Sequence, residues 1–110
     1  MIANPKVSLV IVSRNRPVEL KRILTSLRFV IYPEFEVIVV CNDDPRQLYP
    51  HIYNVDRIKY VQFENANISA ARNLGISHSA GDIVAFCDDD AVPEPTWLSH
   101  LIAPFSDPEI

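Results

Sequence analysis

Along the chain, short and almost wholly apolar runs alternate with stretches in which apolar residues recur at helical spacing. Lys6-Val7-Ser8-Leu9-Val10-Ile11-Val12 is apolar nearly throughout, as a strand covered on both faces should be. Pro17 suits the first position of a helix, and Leu20, Ile23, Leu24 and Leu27 then form one helical stripe. Tyr32-Pro33 interrupts the chain, and Glu36-Val37-Ile38-Val39-Val40-Cys41 reads as a second buried strand. Arg46 to Tyr53 is a loop or a short helix, and Ile58-Lys59-Tyr60-Val61-Gln62 is a shorter third strand. Asn67 caps a helix running from Ile68 to about His78, and Ala80-Gly81-Asp82 turns the chain. The fourth strand is Ile83-Val84-Ala85-Phe86-Cys87. Pro95 opens a last helix with Leu98, Leu101, Ile102 and Phe105 on one face.

This alternation predicts an α/β layered fold around a mostly parallel sheet. With 110 residues, 48% of them hydrophobic, the chain is the size of one domain and can bury a real core. Its net charge of −4, with both signs interspersed, argues against a nucleic-acid surface and against a polybasic membrane anchor. The run from Val7 to Val12 is too short for a signal peptide or a membrane span, so a cytoplasmic protein is the default. Cys41 and Cys87 are too few for a disulfide framework and lack metal-site spacing, which makes them ordinary free thiols. His51, His78 and His100 have no metal-ligand spacing either.

Three polar clusters sit where predicted strands end: Ser13-Arg14-Asn15-Arg16, Asn42-Asp43-Asp44 and Asp88-Asp89-Asp90. In open α/β sheets, ligands bind beyond the carboxyl ends of strands. Three consecutive aspartates raise one another's pKa unless something positive sits among them, and no lysine or arginine is near them in sequence. Hard oxygen ligands suit Mg²⁺ or Mn²⁺, which fill their remaining positions with water and phosphate oxygens. The competing reading is an acidic turn that caps the next helix. Only Gly75 and Gly81 occur, so neither a GxGxxG turn nor a P-loop can be built, and a diphosphate bound here would need a metal and an arginine instead.

Four segments in this order resemble the nucleotide-binding half of family-2 inverting glycosyltransferases, which have the GT-A fold. They are Val7 to Arg16, Tyr32-Pro33 with Glu36 to Val40, Ile68-Ser69-Ala70-Ala71-Arg72-Asn73-Leu74-Gly75-Ile76, and Ala80 to Asp90 followed by Pro95, Trp97 and Leu98. The resemblance spans nearly the whole chain. It implies a three-layer, mostly parallel sheet in the order 3-2-1-4, incomplete at the strand-four edge. Residues 1–110 would be the nucleotide-sugar-binding half, with the acceptor half absent. With strand one between strands two and four, Cys41 and Cys87 fall roughly 9–10 Å apart, beyond disulfide reach.

The resemblance also implies roles. Asp88 and Asp90 match the outer positions of the family's DxD and would hold Mn²⁺ or Mg²⁺, with Asp88 and Asp89 also meeting the ribose or sugar. Asn42 or Asp43 would sit against the base, Arg72 would reach the nucleotide, and Ser13 would lie against a uridine-like moiety. The family's usual acidic residue after strand two is replaced here by Cys41 in the most natural alignment. Structural readings compete at several positions. Arg72 pairs with an aspartate, Asn73 bonds to backbone, Asp82 is a turn residue, Arg14 and Arg16 are solvated loop charges, and Trp97 packs at the core or its rim.

The function implied is metal-dependent transfer of a sugar from a nucleoside diphosphate to the hydroxyl of a carbohydrate or lipid-linked acceptor, with inversion. The location would be cytoplasmic, either free or peripheral to a membrane. The general base is expected beyond Ile110, so the 110-residue chain alone should be inactive, and its exposed strand-four edge should favour self-association. The alternative is a nucleotide-sugar-binding module without transferase activity. A sugar-phosphate nucleotidyltransferase needs a glycine-rich loop after strand one, and a receiver domain needs an acidic pair there; this chain has neither.

Overall fold

A computed structural model describes residues 5–42 and 57–106. Asp43, His51 and the segment Arg46 to Tyr53 lie outside the described residues. The elements are β1 (Val7–Ser13), α1 (Pro17–Leu27), β2 (Phe35–Cys41), β3 (Ile58–Gln62), α2 (Ile68–Ser77), β4 (Ile83–Phe86) and α3 (Trp97–Ile102), with a 3-10 turn over Ala103–Ser106. The four strands are parallel and lie in the order β3-β2-β1-β4.

The period of two along β1 and β2 distributes their side chains over both faces of the sheet. Val7, Leu9 and Ile11 with Val37 and Val39 face the apolar stripe of α1, namely Leu20, Ile23, Leu24 and Leu27, and Leu98 and Ile102 of α3. Val10, Ile38 and Val40 face Ala71 of α2. Both central strands are therefore buried on two sides, which is why their sequences show almost no polar alternation. Asn67 accepts a hydrogen bond from the Ala70 backbone N–H at 3.1 Å and caps α2. Neither cysteine forms a disulfide; Cys41 ends β2 and Cys87 follows β4, the two strands that flank β1. No helix of the described residues is long and apolar enough to cross a membrane.

Several boundaries differ from the sequence reading, and β1 starts at Val7 rather than Lys6 and β2 at Phe35 rather than Glu36. β1 runs one residue further, because Ser13 still pairs in register with Cys41. β4 stops at Phe86, since the acidic turn begins at Asp88; Cys87 keeps one backbone bond to β1, its N–H donating to the Val10 carbonyl at 3.1 Å. Helix α3 begins at Trp97 rather than Pro95. The Pro95 carbonyl instead accepts from the Ile31 N–H at 2.7 Å, and Ser99 Oγ donates to the Ile31 carbonyl at 2.8 Å, so this segment is fastened to the α1–β2 loop. The shorter helix buries Leu98 and Ile102 but leaves Leu101 exposed. Trp97 packs partly buried against the core, as a rim residue. On β4 only Ala85 is buried and Phe86 is 46% exposed, as expected of an edge strand.

The two glycines are placed by close approach. A Cβ on Gly81 would lie 2.7 Å from the Ser8 backbone nitrogen, and one on Gly75 would lie 2.5 Å from Val10 Cγ1. Val10 is locked in the central strand and cannot yield easily. Gly75→Ala should therefore lower stability by about 1–3 kcal/mol through overpacking, although alanine is the better helix former by about 1 kcal/mol. Chemical denaturation checks this, and an unchanged or raised midpoint would show that α2 can move off the sheet.

Candidate functional site

Because β2, β1 and β4 are parallel neighbours, their carboxyl ends open on one edge of the sheet. β1 delivers Ser13 there, β2 delivers Asn42 just past Cys41, and β4 delivers Asp88-Asp89-Asp90. Ser13 Oγ donates to Asp89 Oδ2 at 3.0 Å, and Arg16 Nε lies 3.4 Å from the same oxygen. Asp89 is 8% exposed, whereas Asp88 and Asp90 on either side face solvent. The positive charge that the sequence around the aspartates lacks is thus brought from the β1–α1 turn, and it neutralises the inward carboxylate. Arg16 is tied rather than free, and it also approaches Glu19 Oε2 at 4.0 Å.

The turn that carries Arg16 is shaped by Asn15, whose φ of 56° is the only positive value among the described residues. Asparagine tolerates this left-handed conformation better than most residues. The Asn15 N–H donates to Asn42 Oδ1 at 3.1 Å, and Asn42 Nδ2 donates back to Asn15 Oδ1 at 2.7 Å. This reciprocal pair locks the ends of β1 and β2 together. Arg14 donates through Nη1 to the Glu64 carbonyl. The Arg72 guanidinium lies over the Phe86 ring, 5.7 Å from its centroid. Arg72 thus pairs with no aspartate among the described residues, and Asn73 is exposed rather than bonded to backbone.

Two clefts meet at the acidic turn. One, of about 230 Å³, is lined by Ser13, Arg16, Phe63, Asn67 and Asp89 among others. The other, of about 680 Å³, runs along the β4 edge and is lined by Phe86, Asp88, Trp97 and His100 among others. A further cleft of about 590 Å³, between Leu24, Tyr32, Val37 and Arg57, lies away from these strand ends and contains no carboxylate.

The donor set fits a hard divalent ion that keeps water and phosphate ligands. Among the described residues no group of three or more His, Cys, Asp and Glu side chains converges on one point. Asp88 and Asp90 are exposed carboxylates at the turn, of the hard oxygen type that Mg²⁺ accepts beside water and phosphate. Their charge is felt locally. The half-buried Cys87 thiol is pushed up to about 11, first by burial and then by Asp88 and Asp90.

A second polar cluster occupies the opposite, amino end of the sheet. Glu36 is buried and accepts from Ser8 Oγ at 2.5 Å, from the Ala80 N–H at 2.6 Å and from Lys59 Nζ at 2.9 Å. The Gly81 N–H donates to Ser8 Oγ at 2.7 Å, and Asp82 Oδ2 accepts from the Lys6 N–H at 3.0 Å, so Asp82 is a turn residue. Burial raises the Glu36 pKa, but its bonds from Ser8, Ala80 and Lys59 outweigh burial and hold it at about 2. Sequence reasoning passed over Glu36 and Ser8. Their signal was a polar residue inside each of two otherwise apolar strands, and the two pair in register.

The family model for glycosyl transferase family 2 matches residues 8–110. Glycosyltransferase GlyA of Streptococcus pneumoniae is 31% identical over 105 residues, 92% of this chain and 15% of that protein. The putative glycosyltransferase EpsH of Bacillus subtilis is 31% identical over 103 residues, 89% of this chain and 30% of that protein. The chain thus spans less than a third of either relative. Among solved structures, the mannosyltransferase PcManGT from Pyrobaculum calidifontis, in complex with GDP-Man and Mn²⁺, superposes with a TM-score of 0.80 at 22% identity, covering 97% of this chain and 34% of that one. Residues 1–349 of Staphylococcus aureus TarS, in complex with UDP, give a TM-score of 0.76 at 27% identity, covering 89% of this chain and 31% of that one.

Proposed function

The chain belongs to glycosyl transferase family 2, and from that premise we propose that it is the donor-binding part of a transferase. The reaction moves a sugar from a nucleoside diphosphate to an acceptor hydroxyl with inversion, in the cytoplasm. The observation that carries this reading is the acidic turn set between two clefts at the carboxyl edge, with Asp89 lining one and Asp88 the other. A nucleotide in the smaller cleft would direct its diphosphate toward the turn and its sugar toward the larger one.

Asp88 and Asp90 would hold Mn²⁺ or Mg²⁺. Bound there, such an ion neutralises charge on the departing diphosphate. Ser13 lines the smaller cleft and would lie against a uridine-like moiety, and Asn42 or Asp43, which follows it in sequence, would sit against the base. Arg72, exposed beside Phe86, would supply a cation to the nucleotide, and Asp88 would bound the sugar side of the turn, with Asp89 on the nucleotide side. No residue of this chain is assigned as the general base, which belongs to the acceptor part of the protein. GDP-Man with Mn²⁺ and UDP, each held by a protein of similar fold, support a nucleoside diphosphate donor.

Thermal shift with UDP, GDP and dTDP, each with and without Mn²⁺, tests the proposal. A bound diphosphate at 100 times its Kd should stabilise the fold by roughly 2.7 kcal/mol, and only with the metal. A midpoint that no diphosphate raises in the presence of Mn²⁺ would remove the donor-site reading.

A further inference from the structure

We propose that Asp89 is a positioning residue, which latches the acidic turn to the end of β1 so that Asp88 and Asp90 face outward together. This rests on the donor-site reading above. Cys87 and Ala91 pack against the core at the two ends of the turn, and the Cys87 thiol donates to the Asp88 carbonyl at 3.7 Å. Between those ends the backbone has the Cys87 bond to Val10 and one from the Ala91 N–H to the Asp88 carbonyl at 3.2 Å, and among the described residues no helix of this segment begins before Trp97.

Asp89 adds a side-chain tie through one oxygen. Oδ2 accepts from Ser13 Oγ, itself 4% exposed, at 3.0 Å, and Arg16 Nε approaches it at 3.4 Å. Both partners stand at the end of β1, which is flanked by β2 and β4 and followed directly by α1. The latch therefore joins the middle of the acidic turn to a central strand of the sheet. In an extended or turning backbone, neighbouring side chains diverge, so drawing Asp89 inward turns Asp88 and Asp90 away from the core. Arg16 offsets the Asp89 charge, so Asp88 and Asp90 are the two exposed carboxylates of the turn without an ion-pair partner among the described residues.

A donor contact and a latch predict different mutant behaviour. Asparagine keeps an oxygen that accepts from Ser13 but loses the negative charge; alanine loses both. Two measurements on the protein separate the readings: amide hydrogen exchange of residues 87–91 without ligand, and calorimetric titration of UDP or GDP with Mn²⁺. The latch predicts that Asp89→Ala speeds exchange across the turn and weakens binding about tenfold, while Asp89→Asn restores both to within about threefold of the parent. Because Ser13 acts through Asp89, Ser13→Ala should add nothing in the Asp89→Ala background. Unchanged exchange in Asp89→Ala overturns the latch. So does an Asp89→Asn protein that keeps its slow exchange but binds as weakly as Asp89→Ala, since Asp89 would then touch the ligand. A parent protein that binds neither nucleotide with Mn²⁺ removes the donor-site reading instead, and exchange in the unliganded variants still decides whether Asp89 holds the turn.

Discussion

Asp90→Ala is expected to weaken Mn²⁺-dependent nucleoside diphosphate binding by one to two orders of magnitude while leaving the fold intact. The size follows from losing one contact to a charged group, about 1.5–3 kcal/mol. The preserved fold follows from exposure. Asp90 faces solvent and makes no hydrogen bond or ion pair among the described residues, so removing it leaves no buried partner unsatisfied. It also relieves repulsion from Asp88 and Asp89, so stability without ligand should hold or rise slightly. Titration calorimetry alongside circular dichroism checks both halves. Affinity within a factor of two of the parent would take Asp90 out of the metal site, and an unfolded variant would favour a helix-capping turn over a ligand site.

Acid should unfold the protein through Glu36, and Glu36→Ala should erase much of that pH dependence. The folded carboxyl is held at about 2, against 4.5 for an ordinary glutamate, which corresponds to roughly 3 kcal/mol. The folded value is the lower one, so this stabilisation is complete above about pH 5 and is lost as pH falls toward 2. Lys59 is 48% exposed and screened by salt, so the buried bonds from Ser8 and Ala80 carry the larger share. At neutral pH, Glu36→Ala should cost about 2–4 kcal/mol, because the Ser8 hydroxyl and the Ala80 N–H both lose their acceptor in a buried place. Urea midpoints from pH 7 to 2.5 provide the test. The parent curve should fall steeply below pH 5 and the variant curve should be flatter; parallel curves would show that Glu36 is not the group that titrates.

The sheet was legible in the sequence because its central strands are buried on both faces. An apolar run such as Val37 to Val40 admits few other environments, and the stripe Leu20, Ile23, Leu24, Leu27 fixes which face α1 presents. The end of the chain was harder to read. The offsets of Leu98, Leu101, Ile102 and Phe105 suggest one apolar face, yet the Pro95 carbonyl is engaged by Ile31, so the helix starts later and leaves Leu101 outside. The site was legible as three strand-end clusters but not as a network. That Asp89 turns inward to Ser13 and Arg16 while its neighbours face out depends on contacts across 76 and 73 positions of sequence, which no local pattern encodes. The Asn15–Asn42 clamp was hidden for the same reason, although an asparagine in a tight turn is a common way to reach a left-handed conformation.

If the carboxyl edge of the sheet holds a metal-bound nucleoside diphosphate, paramagnetic broadening by Mn²⁺ locates that site directly. In amide spectra of the protein with UDP or GDP, substoichiometric Mn²⁺ should first remove the signals of Ser13, Asn42 and Asp88 to Ala91. Signals from Ser8, Glu36 and Ala80 to Asp82, at the amino end, should persist. Loss centred on that amino end, uniform loss, or no selective loss at any Mn²⁺ level would contradict the account.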